Sequence, residues 1–230
     1  MIQELDHDIR IEVVKMLETS HPNYSKNRLG RFTSRLIDFF ISILSLIILS
    51  PIILVISALL GSLNGFPVLF KQKRLGKNGK IFTILKFRTM RKDAEIILEE
   101  NIELYDNYIK NDYKLHPSED PRLIRFGALL RKTSLDELPQ FFCVLKGDMS
   151  LVGPRPIVPQ EIERYEGHER DFLSVKPGIT GLWQVSGRSE IEYPQRKYLD
   201  LLYVKNKSLF LDFKILLKTI VTVVRKSGAH

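Results

Sequence analysis

Between Phe39 and Leu60 the chain runs for 22 residues without a charge, and no other stretch restricts its possible folds as strongly. As one helix this run would be about 33 Å long, enough to cross a bilayer. Ser50-Pro51 sits near its middle, where proline removes a helix hydrogen bond and crowds the preceding turn, and neither half alone could span. Lys26, Arg28, Arg31 and Arg35 precede the run, and Lys71, Lys73, Arg74, Lys77 and Lys80 follow it. Cations at both ends pull both ends to the cytoplasmic face. A helix-break-helix that enters one leaflet and returns is therefore expected over residues 32–66, with a proline-kinked spanning helix as the alternative.

Residues 1–31 form an extension in which Ile2, Leu5, Ile9, Val13 and Leu17 recur at helical spacing, the stripe of an amphipathic helix. It has no apolar core followed by a small-residue cleavage site, so it does not read as a signal peptide. The net charge of +8 suits a phosphate-rich partner, whether nucleic acid, an anionic membrane or a phosphorylated small molecule. The single cysteine, Cys143, excludes an internal disulfide and fits a reducing compartment.

Residues 67–230 read as a second unit. Two strands, Val68 to Lys73 and Ile81 to Phe87, meet around Asn78-Gly79, a hairpin signal because both turn positions need positive φ. Gly76 to Lys80 is too short for a nucleotide-binding phosphate loop. Asp93 to Lys114 and Pro159 to Phe172 have helical patterns, the latter charged and exposed, and Ile179 to Val185 reads as a short strand. Trp183 fits either core or a membrane interface. Helices are expected over Tyr198 to Val204 and Leu209 to Val224, and the second is too polar to span.

Thr133 to Gln140 places adjacent carboxylates, Asp136 and Glu137, before Pro139. The proline predicts that Asp136 to Pro139 form a first helical turn, where free N–H groups favour anions. Ser134-x-x-Glu137 equally fits a capping box made for stability alone. Arg122, Arg125, Arg131 and Lys132 upstream, with Lys146 and Arg155 downstream, tip the balance toward phosphate chemistry, because a cap needs no such cations. Arg155 lies between two prolines, a rigid mount for gripping phosphate. Lys86, Arg88, Arg91 and Lys92 at the hairpin exit fit either phosphate contact or a solvated face.

Lys86-Phe-Arg-Thr-Met90, Asp120-Pro-Arg122, Leu130 to Gln140, Leu145 to Pro156 and Lys176 to Arg188 together closely resemble the bacterial sugar transferase family, the monotopic polyprenyl-phosphate phosphoglycosyl transferases. The resemblance runs from about Phe32 to the end. It implies that Asp136 attacks the sugar-bearing phosphate of a UDP-sugar, that UMP leaves, and that undecaprenyl phosphate then takes the sugar phosphate. Glu137 would hold Mg²⁺, and Lys86, Arg88, Arg131, Arg155 and Asp200 would serve the phosphates and the site. Ser50 and Pro51 match the family's membrane-helix break, and Arg35 and Asp38 match positions at the headgroup interface, although Ser34 replaces the usual lysine there. Cys143, Lys207 and Phe210 also depart from common residues. Many larger relatives carry further membrane helices and another domain ahead of this unit.

The expected architecture is α+β: a re-entrant membrane helix hairpin plus a small, mostly helical catalytic domain with a β-hairpin and interfacial amphipathic helices. The resemblance places it at the bacterial plasma membrane, monotopic, facing the cytoplasm, and at the first membrane step of exopolysaccharide, capsule or O-antigen synthesis. Galactose is preferred slightly over glucose as the sugar. A homodimer and downstream glycosyltransferases are further partners it leaves room for. A nucleic-acid binder would show a recognition helix or aromatics among its cations, and neither is found. Direct transfer in a ternary complex and a non-catalytic scaffold for glycan enzymes are the rival readings.

Overall fold

The computed structural model describes residues 28–110, 115–116, 119–187 and 191–225, together with Ile9 and Val13. The uncharged run lies within one helix, α1 (Arg28–Asn64), about 55 Å long at the usual rise. Most of its apolar side chains are exposed, among them Phe40, Leu44, Ile47, Ile48, Leu54 and Val55. An uncovered apolar surface of this extent needs lipid around it, so the helix places the chain at a membrane.

The helical assignment continues through Pro51 where a break was expected. Proline at 51 cannot donate to the carbonyl four residues back, and the Ser50 hydroxyl takes that place, donating to Ile47 O at 2.8 Å. The serine thus satisfies the acceptor its neighbour leaves orphaned, which matters most where water is absent.

Both ends of α1 dock on the rest of the chain. The hairpin β1 (Leu69–Leu75) and β2 (Ile81–Phe87) pairs antiparallel, Leu69 opposite Phe87 and Leu75 opposite Ile81. Its turn carries positive φ at Asn78 and Gly79, as the sequence requires. Near the far end of α1, Ile56 and Leu60 pack with Phe87 and Leu130, joined by Leu135 and Leu138. Arg88 donates to Asn64 O at 2.6 Å and Gly65 O at 2.7 Å, closing the helix's C-terminal carbonyls. At the near end Arg35 donates to Val144 O and Leu145 O, at 2.5 and 2.6 Å, in the last turn of α5, a helix defined below. Asp38, 7% exposed, accepts from Ser150 Oγ at 2.8 Å and from Leu151 N at 2.9 Å.

The expected single helix from Asp93 is two, α2 (Ala94–Glu100) and α3 (Ile102–Lys110). Asn101 interrupts them with extended backbone, and its Oδ1 accepts from Leu104 N at 2.9 Å, starting a new helix. Residues 111–114 of the expected helix lie outside the described residues. After α4 (Gly127–Lys132) come a 3₁₀ turn (Leu135–Glu137), α5 (Gln140–Lys146) and β3 (Ser150–Val152). The expected exposed helix from Pro159 to Phe172 is a 3₁₀ segment (Pro159–Tyr165) and α6 (Glu169–Phe172), with Tyr165 and Phe172 buried. The expected strand Ile179 to Val185 divides into β4 (Gly178–Thr180), parallel to β3, and α7 (Leu182–Ser186). Close approach requires glycine here: a Cβ on Gly178 would lie 2.1 Å from Gly153 N.

Helices α8 (Gln195–Asn206) and α9 (Leu209–Arg225) complete the chain as described. The main core gathers Phe82 and Ile84 of β2, Val144, Leu151, Leu182, Leu199, Leu202, Leu211 and Ile215. Helix α9 buries Leu211 and Ile215 but exposes Phe210, Phe213, Leu217 and Ile220, so it is apolar on two faces. Of the expected N-terminal amphipathic helix only Ile9 and Val13 are described; both are helical, and Val13 is fully buried in the main core. The rest of that segment lies outside the described residues.

Arg35→Met should weaken docking of α1 by about 1–3 kcal/mol, because two charge-assisted hydrogen bonds at a helix C-terminus are lost. Thermal unfolding in detergent would show a lower midpoint than wild type, and an unchanged midpoint would show that these contacts do not hold the helix.

Candidate active site

Asp136 and Glu137 occupy the 3₁₀ turn ahead of α5, with Pro139 as the cap residue and Gln140 the first residue of the helix. The expected placement of the dyad in a first α-helical turn is therefore displaced by one short turn. Ser134, the residue entering the turn, is left-handed (φ 57°), and its side chain makes no capping hydrogen bond. The Glu137 carboxylate instead accepts from Lys86 Nζ at 2.6 Å, so the dyad is not a capping box. The three-residue period of the turn does the positioning: Leu135 and Leu138 pack toward α1, while Glu137 turns to an open cleft.

That cleft is lined by Arg74 and Lys86 of the hairpin, Glu137, Gln140, Arg155 with Pro156, and Gly178, Ile179 and Gln184 around β4 and α7. Asp136 is only 8% exposed. Burial, and then the Glu137 charge, push its carboxyl up to about 6, while Lys86 and Arg131 pull the other way. Arg131 reaches back from α4 to donate to Thr89 Oγ1 at 3.0 Å, and burial lowers its pKa. Arg155 stands in the cleft with its guanidinium 6.0 Å from the Trp183 ring centre and, among the described residues, has no hydrogen-bond or ion-pair partner. Lys86, Glu137 and Arg155 meet in this cleft, and the charges of Lys86, Glu137 and Arg131 act on Asp136, as the sequence pattern suggested.

Other expected site residues lie elsewhere. Arg88 is 7% exposed and turned into the C-terminus of α1. Arg35 and Asp38, expected among headgroups, make their hydrogen bonds to α5 and β3. Asp200 is fully buried on α8 and accepts from Tyr165 Oη at 2.7 Å. Burial raises its pKa to about 7 against the opposing hydrogen bond from Tyr165 and the charges of Arg196 and Arg155, so it stands behind the cleft wall. Trp183 is 4% exposed, with the Arg196 guanidinium 4.2 Å over its ring, and belongs to the interior rather than a membrane interface.

Arg74 is the site residue that the sequence pattern hid. It sits on β1 beside Lys71 and Lys73, where a cation reads as part of a solvated strand. The only sequence signal is parity: Gln72 and Arg74 are partly buried, whereas Lys71 and Lys73 are exposed. Burial, with the Arg155 charge second, lowers the Arg74 pKa to about 10.

A divalent cation fits this donor set without a cage of its own. Magnesium takes one or two carboxylates and fills its remaining positions with phosphate oxygens and water. The adjacent Asp136 and Glu137 supply that number, and among the described residues no group of three or more metal-binding side chains is found.

A model of the bacterial sugar transferase family matches residues 29–226. An uncharacterized sugar transferase of Haemophilus influenzae is 46% identical over 212 residues, 89% of this chain and 44% of that protein. The undecaprenyl-phosphate galactose phosphotransferase of Salmonella typhimurium is 45% identical over 211 residues, covering 90% of this chain and 44% of its own length. The exopolysaccharide production protein ExoY of Sinorhizobium fredii is 40% identical over 206 residues, 88% of this chain and 90% of that one. The chain thus spans less than half of the first two relatives and nearly all of the third.

Because folding raises the Asp136 pKa, the folded protein holds that proton more tightly than the unfolded chain. Stability contributed at low pH is then lost as pH rises through about 6. Asp136→Asn should melt a few degrees above wild type at pH 8, a gain of up to about 3 kcal/mol, and together with it near pH 4. Equal melting at both pH values would show that ionising Asp136 costs the fold nothing.

Proposed function

Because this chain belongs to the bacterial sugar transferase family, we propose that it transfers a hexose 1-phosphate from a UDP-sugar to undecaprenyl phosphate through a covalent aspartyl intermediate. The observation that carries this reading is the buried, ionisable Asp136 next to Glu137, which pairs with Lys86 in the wall of a cationic cleft. With a pKa near 6 the carboxylate is mostly ionised at neutral pH, yet little hydrated, as a nucleophile should be. Its oxygen attacks the sugar-bearing phosphorus, the bridging P–O bond breaks, and UMP leaves with the bonding electron pair. An oxygen of undecaprenyl phosphate then attacks the same phosphorus and the aspartate carboxylate departs. Only P–O bonds change, so the sugar keeps its anomeric configuration and one diphosphate replaces another at little net free-energy change.

Lys86 orients Glu137 and places a positive charge beside the phosphate under attack; Arg131 does the same from α4. Glu137, with Asp136, would hold Mg²⁺, which when bound neutralises diphosphate charge. Relatives named for galactose are 44 and 45% identical to this chain and one named for glucose is 40% identical, which favours UDP-galactose slightly over UDP-glucose as donor. Helix α1, apolar and exposed, with both ends docked on one body, is read as a re-entrant anchor that enters one leaflet and keeps the cleft on the cytoplasmic side. The product would begin a membrane-assembled polysaccharide, in keeping with the exopolysaccharide production named for one relative.

Incubating detergent-purified protein with Mg²⁺ and a panel of UDP-hexoses, without lipid acceptor, should add one hexose phosphate to the intact mass of wild type. Asp136→Asn should gain nothing and release no UMP. UMP release that begins only when polyprenyl phosphate is added, with no adduct at any time, would replace the covalent path with direct transfer.

A further inference from the structure

The cations around the cleft differ in what they act on. Lys86 and Arg131 are the positive charges that act on Asp136. The Arg155 charge acts on Arg131 and on Arg74, and Arg74 is further influenced by Glu161 and Glu137. Arg74 and Arg155 both line the cleft, and Glu161 lies 3.9 Å from Arg74 Nη1. Two guanidiniums held together on a partly buried wall repel each other unless an anion comes between them.

The structure holds Arg74 in place before any ligand arrives. Its Nη1 donates to Pro156 O at 3.0 Å and its Nη2 to Gln72 Oε1 at 2.5 Å. Its Nε is buried without a partner, one donor still unspent. Pro156 directly follows Arg155, so the same hydrogen bond ties the two arginines to one rigid loop. The 3₁₀ segment Pro159–Tyr165 places Glu161 beside Arg74, and its Tyr165 donates to Asp200, on which the Arg155 charge acts.

Resting on the donor and chemistry proposed above, we propose that Arg74, with Arg155, forms a second anion subsite that grips the phosphate leaving with the nucleoside, separate from the Lys86 and Arg131 subsite at the phosphate under attack. When the bridging P–O bond breaks, the electron pair and one unit of negative charge pass to the leaving nucleoside monophosphate. Cations fixed at that phosphate are worth most as the charge develops, so they speed the first half of the reaction. They have no such part in the second half, in which the leaving group is the Asp136 carboxylate.

The test compares wild type with Arg74→Gln and Arg74→Lys, using UMP as the binding probe in isothermal titration, with melting points taken without ligand as a control on folding. Arg74→Gln should bind UMP about ten- to a hundredfold more weakly, and Arg74→Lys, which keeps the charge but not the fork, should fall between. In single turnovers Arg74→Gln should form the hexose-phosphate adduct more slowly, while adduct once formed should discharge to polyprenyl phosphate at the wild-type rate. Wild-type affinity for UMP in both variants would overturn the assignment, as would a slowed discharge with UMP binding intact. If wild type forms no adduct yet loses UMP affinity on Arg74→Gln, the covalent path fails while the subsite stands.

Discussion

Two arginines, each closing the end of a helix that belongs to the other part of the molecule, hold the membrane segment and the cleft as one body. Arg35 of α1 sits on the last carbonyls of α5, and Arg88, just after β2, sits on the last carbonyl of α1 and on that of Gly65 beyond it. A helix C-terminus carries unpaired acceptors and partial negative charge, so a guanidinium satisfies both demands at once. Asp38 completes the joint from α1 by binding Ser150 and the Leu151 amide of β3. The loop that follows β3 carries Arg155, and the turn that precedes α5 carries the two carboxylates, so the joint also fixes the distance between the halves of the cleft.

The site is built against stability in several small ways. A carboxylate is kept from water beside another carboxylate, and its partial compensation comes from Lys86 and Arg131. Ser134 enters the turn in a left-handed conformation that a non-glycine residue adopts at a cost of about 1 kcal/mol or more. Arg74 and Arg155 line the same cleft, and the Arg155 charge helps to lower the Arg74 pKa. Each of these is a cost that the fold carries at this one place.

The sequence was informative wherever a local rule decides the structure. Asn78-Gly79 announces the hairpin because few residues accept two consecutive positive φ values, and the uncharged run announces the membrane helix by length alone. The carboxylate pair stands out because cations surround it. What could not be read were partners supplied by distant backbone. Arg35, Asp38 and Arg88 look like phosphate or headgroup ligands in sequence, but their partners are carbonyls, an amide and a hydroxyl, and those positions exist only once the chain is folded. Tyr165 and Trp183 were hidden for a related reason: they lie in short 3₁₀ and α segments whose burial comes from packing rather than periodicity. Arg74 was hidden by its neighbours, since Lys71 and Lys73 make it one cation among three.

The 3₁₀ turn at the dyad places neighbouring residues in two different surroundings. Leu135 and Leu138 rest in the cluster built on Ile56 and Leu60 of the membrane helix, and Glu137 opens to the cleft beside buried Asp136. With so few covalent bonds between the two surroundings, the height of Asp136 above the membrane helix is a fixed length, like a mark on a ruler whose end is planted in the lipid. Under the proposed chemistry the donor is soluble and approaches at any height, whereas the acceptor phosphate is carried by lipid in one plane. On that proposal the turn would act as a depth gauge, meeting acceptors by where they float.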